Sequence, residues 1–305
     1  MHLQPCFLFA NLQTQIKNEC LKMKIGIIGC GNMGGGMAAN LIDLKQDVTC
    51  YDLDQNNIDH AVNEGARRSV SASELAQQCD FIILSLPKAD IVRTVMAEIH
   101  DVISANTIIL DTSTSEPETT KAMSAQAEQK SYSFLDAPVS GGPIAARSGN
   151  MTMLIGGSKS AIEKSRDLLD MLGAKIVIVG PSGSGHAAKI ANNMLCAANL
   201  VLVSEVIRLG EAVGVNANDL LEGVNAGSGR SGVSEVNFPK WILNDAFDSG
   251  FTMGLMRKDV KLGVDLANEA GVSLNAFQGI AKIWSDSSTS LADGADFNEI
   301  TKIEG

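Results

Sequence analysis

Residues 24–36 read Lys-Ile-Gly-Ile-Ile-Gly-Cys-Gly-Asn-Met-Gly-Gly-Gly. A short apolar run, Lys24–Ile28, stops at Gly29. Gly29, Gly31 and Gly34 then follow in G-x-G-x-x-G spacing, and Met33–Leu44 continues with apolar residues at helical spacing. A strand that ends in such a turn and opens a helix is the context that gives the motif meaning. Gly29 allows the tight turn, Gly31 lets the backbone approach a pyrophosphate, and Gly34 lets helix and strand pack closely. Phosphates would sit on the free N–H groups at the positive end of the helix. Asn32 and Met33 complete this candidate cofactor turn.

A second strand, Asp47–Tyr51, leads into Asp52, about 20 residues past Gly31. A carboxylate at that point accepts hydrogen bonds from ribose hydroxyls and repels a 2′-phosphate. No Arg or Lys follows among Leu53–Asn57. NAD is the expected dinucleotide and NADP the less favoured one. FAD would call for a second large nucleotide-binding segment, and no such segment is evident.

Outward from this core the pattern alternates. Strand-like runs at Phe81–Leu86, Thr107–Asp111, Phe134–Ala137, Met151–Ile155 and Lys175–Val179 are interleaved with helical patterns at Gln55–Glu64, Ala89–Ile99 and Glu116–Gln129. Phe81–Leu86 is continuously apolar, as a strand covered on both faces should be. Alternating βα units imply a doubly wound, mostly parallel sheet of the Rossmann type. After Gly180-Pro181 nothing reads as a strand. His186–Val213 is one long helical stretch, broken at Gly210. Asn218–Asn225, Ser234–Leu243, Met253–Ala270, Asn275–Ser287 and Phe297–Ile303 are further helices. The expected organisation is an N-terminal extension or alternative start at 1–22, a dinucleotide-binding α/β domain at 23–185 and an all-helical domain at 186–305.

Composition limits the partners. The chain has 305 residues, 24 Lys plus Arg against 35 Asp plus Glu, and a formal net charge of −11. That balance disfavours nucleic acid and anionic membrane surfaces. No uninterrupted apolar run approaches the roughly 18–20 residues that span a bilayer. Six scattered cysteines without a CxxC pair suit reduced thiols and a cytoplasmic setting. Four histidines without i,i+4 spacing give no metal site.

Three segments carry candidate chemistry. Asp136-Ala-Pro-Val-Ser-Gly-Gly142 follows a strand, so Ser140, Gly141 and Gly142 offer a hydroxyl and open N–H groups near the sheet's carboxyl edge. A turn selected for backbone geometry alone would read the same way. Gly183-Ser-Gly-His-Ala-Ala-Lys189-Ile-Ala-Asn-Asn193 opens the long helix, with Lys189 and Asn193 on one face. A lysine on so apolar a surface is desolvated and becomes a usable general acid/base; the alternative is a snorkelling surface lysine. Arg257-Lys258-Asp259 places three charges in a helix and by itself reads as a solvated face.

Taken together and in order, these motifs resemble the β-hydroxyacid dehydrogenase family from Met23 to near the C-terminus. GIIGCGNMGGGMAANL resembles its cofactor signature, DAPVSGGPIAARSGNMTMLIGG its substrate signature, GSGHAAKIANN its lysine signature and RKDVKLGVDLA its C-terminal segment. The resemblance implies a 6-phosphogluconate dehydrogenase-like architecture and a dimer or tetramer. It implies a short hydroxyacid or semialdehyde as substrate, with Lys189 catalytic. Ser140, Gly141, Gly142, Asn193 and Asp259 would face substrate; Leu86, Pro87, Thr114 and Lys258 would line the cofactor. Arg230 and Arg257 are open candidates for a second substrate charge or for surface arginines. An imine reductase, a larger sugar-acid dehydrogenase and a non-catalytic NAD-binding module are the rival uses of such a scaffold; Lys189 weighs against the first, and the acidic charge with the Ser140/Lys189 pair against the last.

Overall fold

The computed structural model describes residues 22–303. The extension expected at 1–22 lies outside them, apart from Lys22. The first half is a nine-stranded sheet in the order β3-β2-β1-β4-β5-β6-β8-β7, with β9 paired to β8. Its strands are β1 (Lys24–Ile28), β2 (Asp47–Tyr51), β3 (Arg67–Arg68), β4 (Phe81–Leu84), β5 (Ile108–Asp111), β6 (Ser133–Asp136), β7 (Val139–Ser140), β8 (Met151–Gly156) and β9 (Gly173–Gly180). Pairing is parallel from β3 through β6, and β8 runs antiparallel to both β6 and β7. The strand order reverses between β1 and β4, which leaves a crevice at the carboxyl ends.

Both faces of the sheet are covered. Ile25 and Ile27 pack with Met37 and Leu41 of α1 (Asn32–Asp43) on one side. On the other, Ile28, Ile82 and Leu84 pack with Leu75 of α3 (Ala72–Gln78), after α2 (Gln55–Asn63), and with Val92 and Met96 of α4 (Ala89–Ile99). A side chain at Gly26 would drive into Leu75. The expected strand at Phe81–Leu86 stops at Leu84, because Leu86 turns its N–H onto the Ser113 hydroxyl at 3.0 Å. The remaining helices of this half are α5 (Pro117–Gln129), α6 (Gly142–Arg147), α7 (Lys159–Lys164) and α8 (Arg166–Leu172).

The second half is built on α9, a 29-residue helix from Ser184 to Ala212. Gly210 does not interrupt it. Instead its missing side chain makes room for Leu220 of α10 (Ala217–Ala226), which would sit 2.4 Å from a Cβ there. Averaged over a window, α9 is long and apolar enough to cross a bilayer, which a count of uninterrupted apolar residues overlooks. Here it is the central helix of the helical half: Ala197, Leu200 and Val201 pack against Phe238, Met256 and Trp284, and the Trp284 indole donates to the Ala197 carbonyl at 3.2 Å. The helix expected at Ser234–Leu243 is a π-helix over Val233–Ile242 with Pro239 inside it. Proline supplies no N–H for an i→i−4 bond and forces the register to widen. α11 (Met253–Glu269) and α12 (Gln278–Asp286) follow, and the last helical stretch, Phe297–Lys302, is a 3₁₀ helix.

Candidate active site

The glycine turn has the geometry that its spacing demands. Gly29 holds φ at +91° and donates to the Tyr51 carbonyl at 2.9 Å. A Cβ at Gly34 would lie 1.8 Å from the Gly29 carbonyl oxygen, so only glycine lets α1 approach β1. Gly31 faces open space: a Cβ there would meet nothing within 4 Å. As N-cap of α1 it brings no side chain to the helix end, so the first-turn N–H groups, including those of Asn32 and Met33, are available to an anion. Asp52 sits beside this turn, its carboxylate accepting from Cys30 N–H at 2.6 Å, Asp54 N–H at 2.8 Å and the Asn57 amide at 3.1 Å. An open amide cradle with a carboxylate at the end of β2 fits a dinucleotide. β3, too short to carry a sequence signal, adds Arg68 against Gln55 at 2.9 Å, with its charge paired to Asp59.

Lys189 lies in the second turn of α9, and its ammonium donates to the Ser140 hydroxyl at 2.9 Å. The side chain is 8 % exposed, so the snorkelling alternative fails. Burial pulls its pKa below the ordinary lysine value; Lys258 pushes the same way, and Asp259 works against them. Ser140 ends β7, and Gly141 and Gly142 follow with φ of +124° and +70°. Their glycine identity is thus a backbone requirement as well as an opening for N–H groups.

Asn193, one turn beyond Lys189, donates to Asp259 Oδ2 at 2.5 Å. This contact depends on α9 and α11 running close together, and Gly263 permits that: a Cβ there would lie 2.4 Å from the Met194 sulfur. The other Asp259 oxygen is buried without a hydrogen bond and faces the Lys258 ammonium at 3.3 Å. Lys258 also reaches the carbonyls of Pro87 and Thr114, each at 3.3 Å. Residues from the ends of β4 and β5 are thereby joined to α11. Arg257 is turned away from this cluster. Its guanidinium binds Ser287 Oγ at 2.9 Å, the Leu291 carbonyl at 2.7 Å and Asp293 at 2.5 Å, so it is a structural stitch of the helical half, neither a substrate charge nor a free surface arginine. Arg230 is exposed and, among the described residues, makes no hydrogen bond or ion pair.

Two buried residues that the sequence did not single out hold this arrangement. Asp136, at the end of β6, accepts the N–H groups of Gly183 at 2.9 Å and His186 at 3.0 Å, and so caps α9 from a neighbouring strand. His186 is fully buried between Thr120 and Ser113. The DAPVSGG segment displays this Asp, and only the fold makes it a remote cap.

A dinucleotide-type sheet, a long helix bearing a buried lysine, and an all-helical second half define an NAD(P)-binding oxidoreductase. The chain belongs to the β-hydroxyacid dehydrogenase family. Residues 24–180 match the family model for the NAD binding domain of 6-phosphogluconate dehydrogenase, and residues 183–303 match that for the NAD-binding region of NADP-dependent 3-hydroxyisobutyrate dehydrogenase. The 2-(hydroxymethyl)glutarate dehydrogenase of Eubacterium barkeri is 38% identical over 257 residues, covering 83% of this chain and 85% of the relative. The NAD-dependent L-serine dehydrogenase of Pseudomonas aeruginosa is 34% identical over 260 residues, covering 82% and 87%. The solved structure of Mycobacterium tuberculosis 3-hydroxyisobutyrate dehydrogenase with L-serine superposes with a TM-score of 0.87 at 29% identity, over 92% of this chain and 98% of that one.

Proposed function

We propose that this chain interconverts a short β-hydroxyacid and its semialdehyde, using NAD in preference to NADP and Lys189 as general acid/base. Substrates of the size of 3-hydroxyisobutyrate or glycerate fit the reading. The observation that carries it is the buried Lys189 ammonium on the Ser140 hydroxyl, at the carboxyl edge of a sheet with an open dinucleotide turn. The relatives' names, which include hydroxyacid and serine dehydrogenases, support the substrate class.

NAD, when bound, supplies the two-electron acceptor for the hydride that leaves the hydroxyl-bearing carbon. Gly141, Gly142 and Ser140 hold the acid end of the substrate, and Asn193, fixed by Asp259, orients it. In oxidation the neutral Lys189 amine takes the proton of the substrate hydroxyl. In reduction the ammonium returns a proton to the developing alkoxide and stabilises its charge. Burial favours the neutral amine, and Ser140 gives the ammonium an acceptor, so both forms are provided for. Lys258 and the carbonyls of Pro87 and Thr114 fix the loops on the nicotinamide side. Asp52, the lack of a cation at Leu53–Asn57 and the pairing of Arg68 with Asp59 support NAD over NADP.

Self-association belongs to the same reading. Leu195, Leu202 and Leu209 recur every seven residues on α9 and are exposed, as are Val206 and Val213. An exposed heptad stripe suits a second copy of this chain. The free thiols at Cys30, Cys50, Cys79 and Cys196 suit a cytoplasmic setting.

A steady-state screen that varies hydroxyacid and dinucleotide together, read at the reduced-nicotinamide absorbance, tests the function. Turnover of at least one short β-hydroxyacid with NAD is expected. Binding of NAD with no turnover of any acid would overturn it in favour of a non-catalytic module. Light scattering after size exclusion reads the assembly, and a monomer would remove the proposed interface.

A further inference from the structure

We infer that His186 is a positioning residue that ties the placement of Lys189 to the loops on the nicotinamide side. This rests on the proposed role of Lys189. His186 occupies the first turn of α9, three residues before the lysine, and its ring is completely buried. The ring nitrogens reach two separate elements. Nε2 lies 2.9 Å from the Ser113 carbonyl oxygen, and Nδ1 lies 2.8 Å from the Thr120 hydroxyl in α5. A carbonyl can only accept, so Nε2 carries the hydrogen donated to Ser113, while Nδ1 shares a hydrogen bond with the Thr120 hydroxyl.

Ser113 is held at every polar atom. Its N–H donates to Asp111 Oδ1 at 3.0 Å, its carbonyl accepts from His186, and its hydroxyl accepts the Leu86 N–H at 3.0 Å. The next residue, Thr114, gives its carbonyl to Lys258. The second Asp111 oxygen is buried without a hydrogen bond and lies 3.9 Å from His186 Nε2, beyond hydrogen-bond reach. A continuous path therefore runs from the Leu86 amide through Ser113 to His186 and one turn on to Lys189. A helix start secured only by Asp136 would fix the α9 backbone but leave Ser113 and Leu86 independent of it. Sub-ångström placement matters at hydride distance, where a shift of about 1 Å costs on the order of 100-fold.

The test compares His186→Leu with His186→Gln, whose amide retains a donor for Ser113 and an acceptor for Thr120. In His186→Leu, amide hydrogen exchange should rise at residues 84–88 and 113–116 as well as at 183–190. The kcat should fall by roughly tenfold or more, while KM for NAD changes by less than about twofold, and the Gln variant should recover most of both. Faster exchange confined to 183–190, unchanged kcat in a folded Leu variant, or a loss carried only by KM for NAD would overturn the inference. Should the Leu variant fail to fold, Thr120→Val takes its place and is read by the same exchange pattern. If the wild-type protein turns over no hydroxyacid, the proposed function falls, and the exchange pattern at 84–88 still decides the coupling by itself.

Discussion

The Lys189 ammonium and the Ser140 hydroxyl meet at 2.9 Å across a junction between two differently built halves of the chain. On the proposed role of Lys189, removing either partner should separate proton transfer from cofactor binding. Lys189→Ala should lower turnover by roughly 10²–10⁴-fold and leave NADH binding, followed by fluorescence, within about twofold. Ser140→Ala should cost about tenfold in kcat/KM, in line with a lost hydrogen bond to a charged group.

Burial sets the pH dependence. Because desolvation lowers the Lys189 pKa, oxidation should rise with pH to a midpoint below 10.5, and reduction should fall over the same range. Between the lowered folded value and the ordinary unfolded one, the unfolded chain binds the extra proton, so stability rises with pH through that window. The contribution is complete above the unfolded value and is lost as pH falls through the folded one. Lys189→Met should flatten this slope in denaturant titrations across the alkaline range.

Two glycines of one turn should respond differently. Gly34→Ala forces a Cβ to 1.8 Å from the Gly29 carbonyl, so both melting temperature and NAD affinity should drop. Gly31→Ala meets open space in the protein and should keep the wild-type melting temperature, while its methyl group intrudes where a pyrophosphate would lie. Calorimetry and nucleotide titration on the same two samples check the contrast.

On the proposed preference for NAD, Asp52→Ser removes the carboxylate that would disfavour a 2′-phosphate. The ratio of kcat/KM for NAD over that for NADP should fall by roughly tenfold or more. A ratio unchanged from wild type would locate cofactor choice elsewhere.

Arg257→Ala should act on stability. Loss of its contacts to Ser287, Leu291 and Asp293 leaves a half-buried carbonyl and a buried hydroxyl short of a donor, at a cost of about 1–3 kcal/mol. Melting temperature should fall, and the kcat of the folded fraction should stay near wild type.

Much of this architecture is legible in the residues because its signals are local. The β1 run, the glycine spacing and the periodicity of α4 each lie within a dozen residues, and the observed α4 spans Ala89–Ile99 as its apolar pattern implies. What escapes is short or remote. β3 and β7 have two residues each, too few for any period. α3 is only seven residues long, although Ser71 and Glu74 form a capping pair at its start. Pro239 marks a disturbed helix but not the π register that accommodates it. Among site residues, Lys189 is conspicuous as a charge on an apolar face. His186 is a lone histidine among glycines, and its partners are 66 and 73 residues away. Arg257 likewise finds its partners 30 to 36 residues downstream.

Asp136 has a bearing on modularity. Its carboxylate belongs to the sheet, and the two N–H groups that satisfy it belong to the helix carrying the lysine. A chain truncated at Gly180 would keep every strand and the whole glycine turn, yet leave the Asp136 carboxylate without the two N–H donors that satisfy it. The dinucleotide half is therefore no free-standing cassette. Exchanging helical halves between relatives to move substrate preference must carry residues 183–186 along with the graft, or the recipient sheet inherits an orphaned carboxylate at the seam.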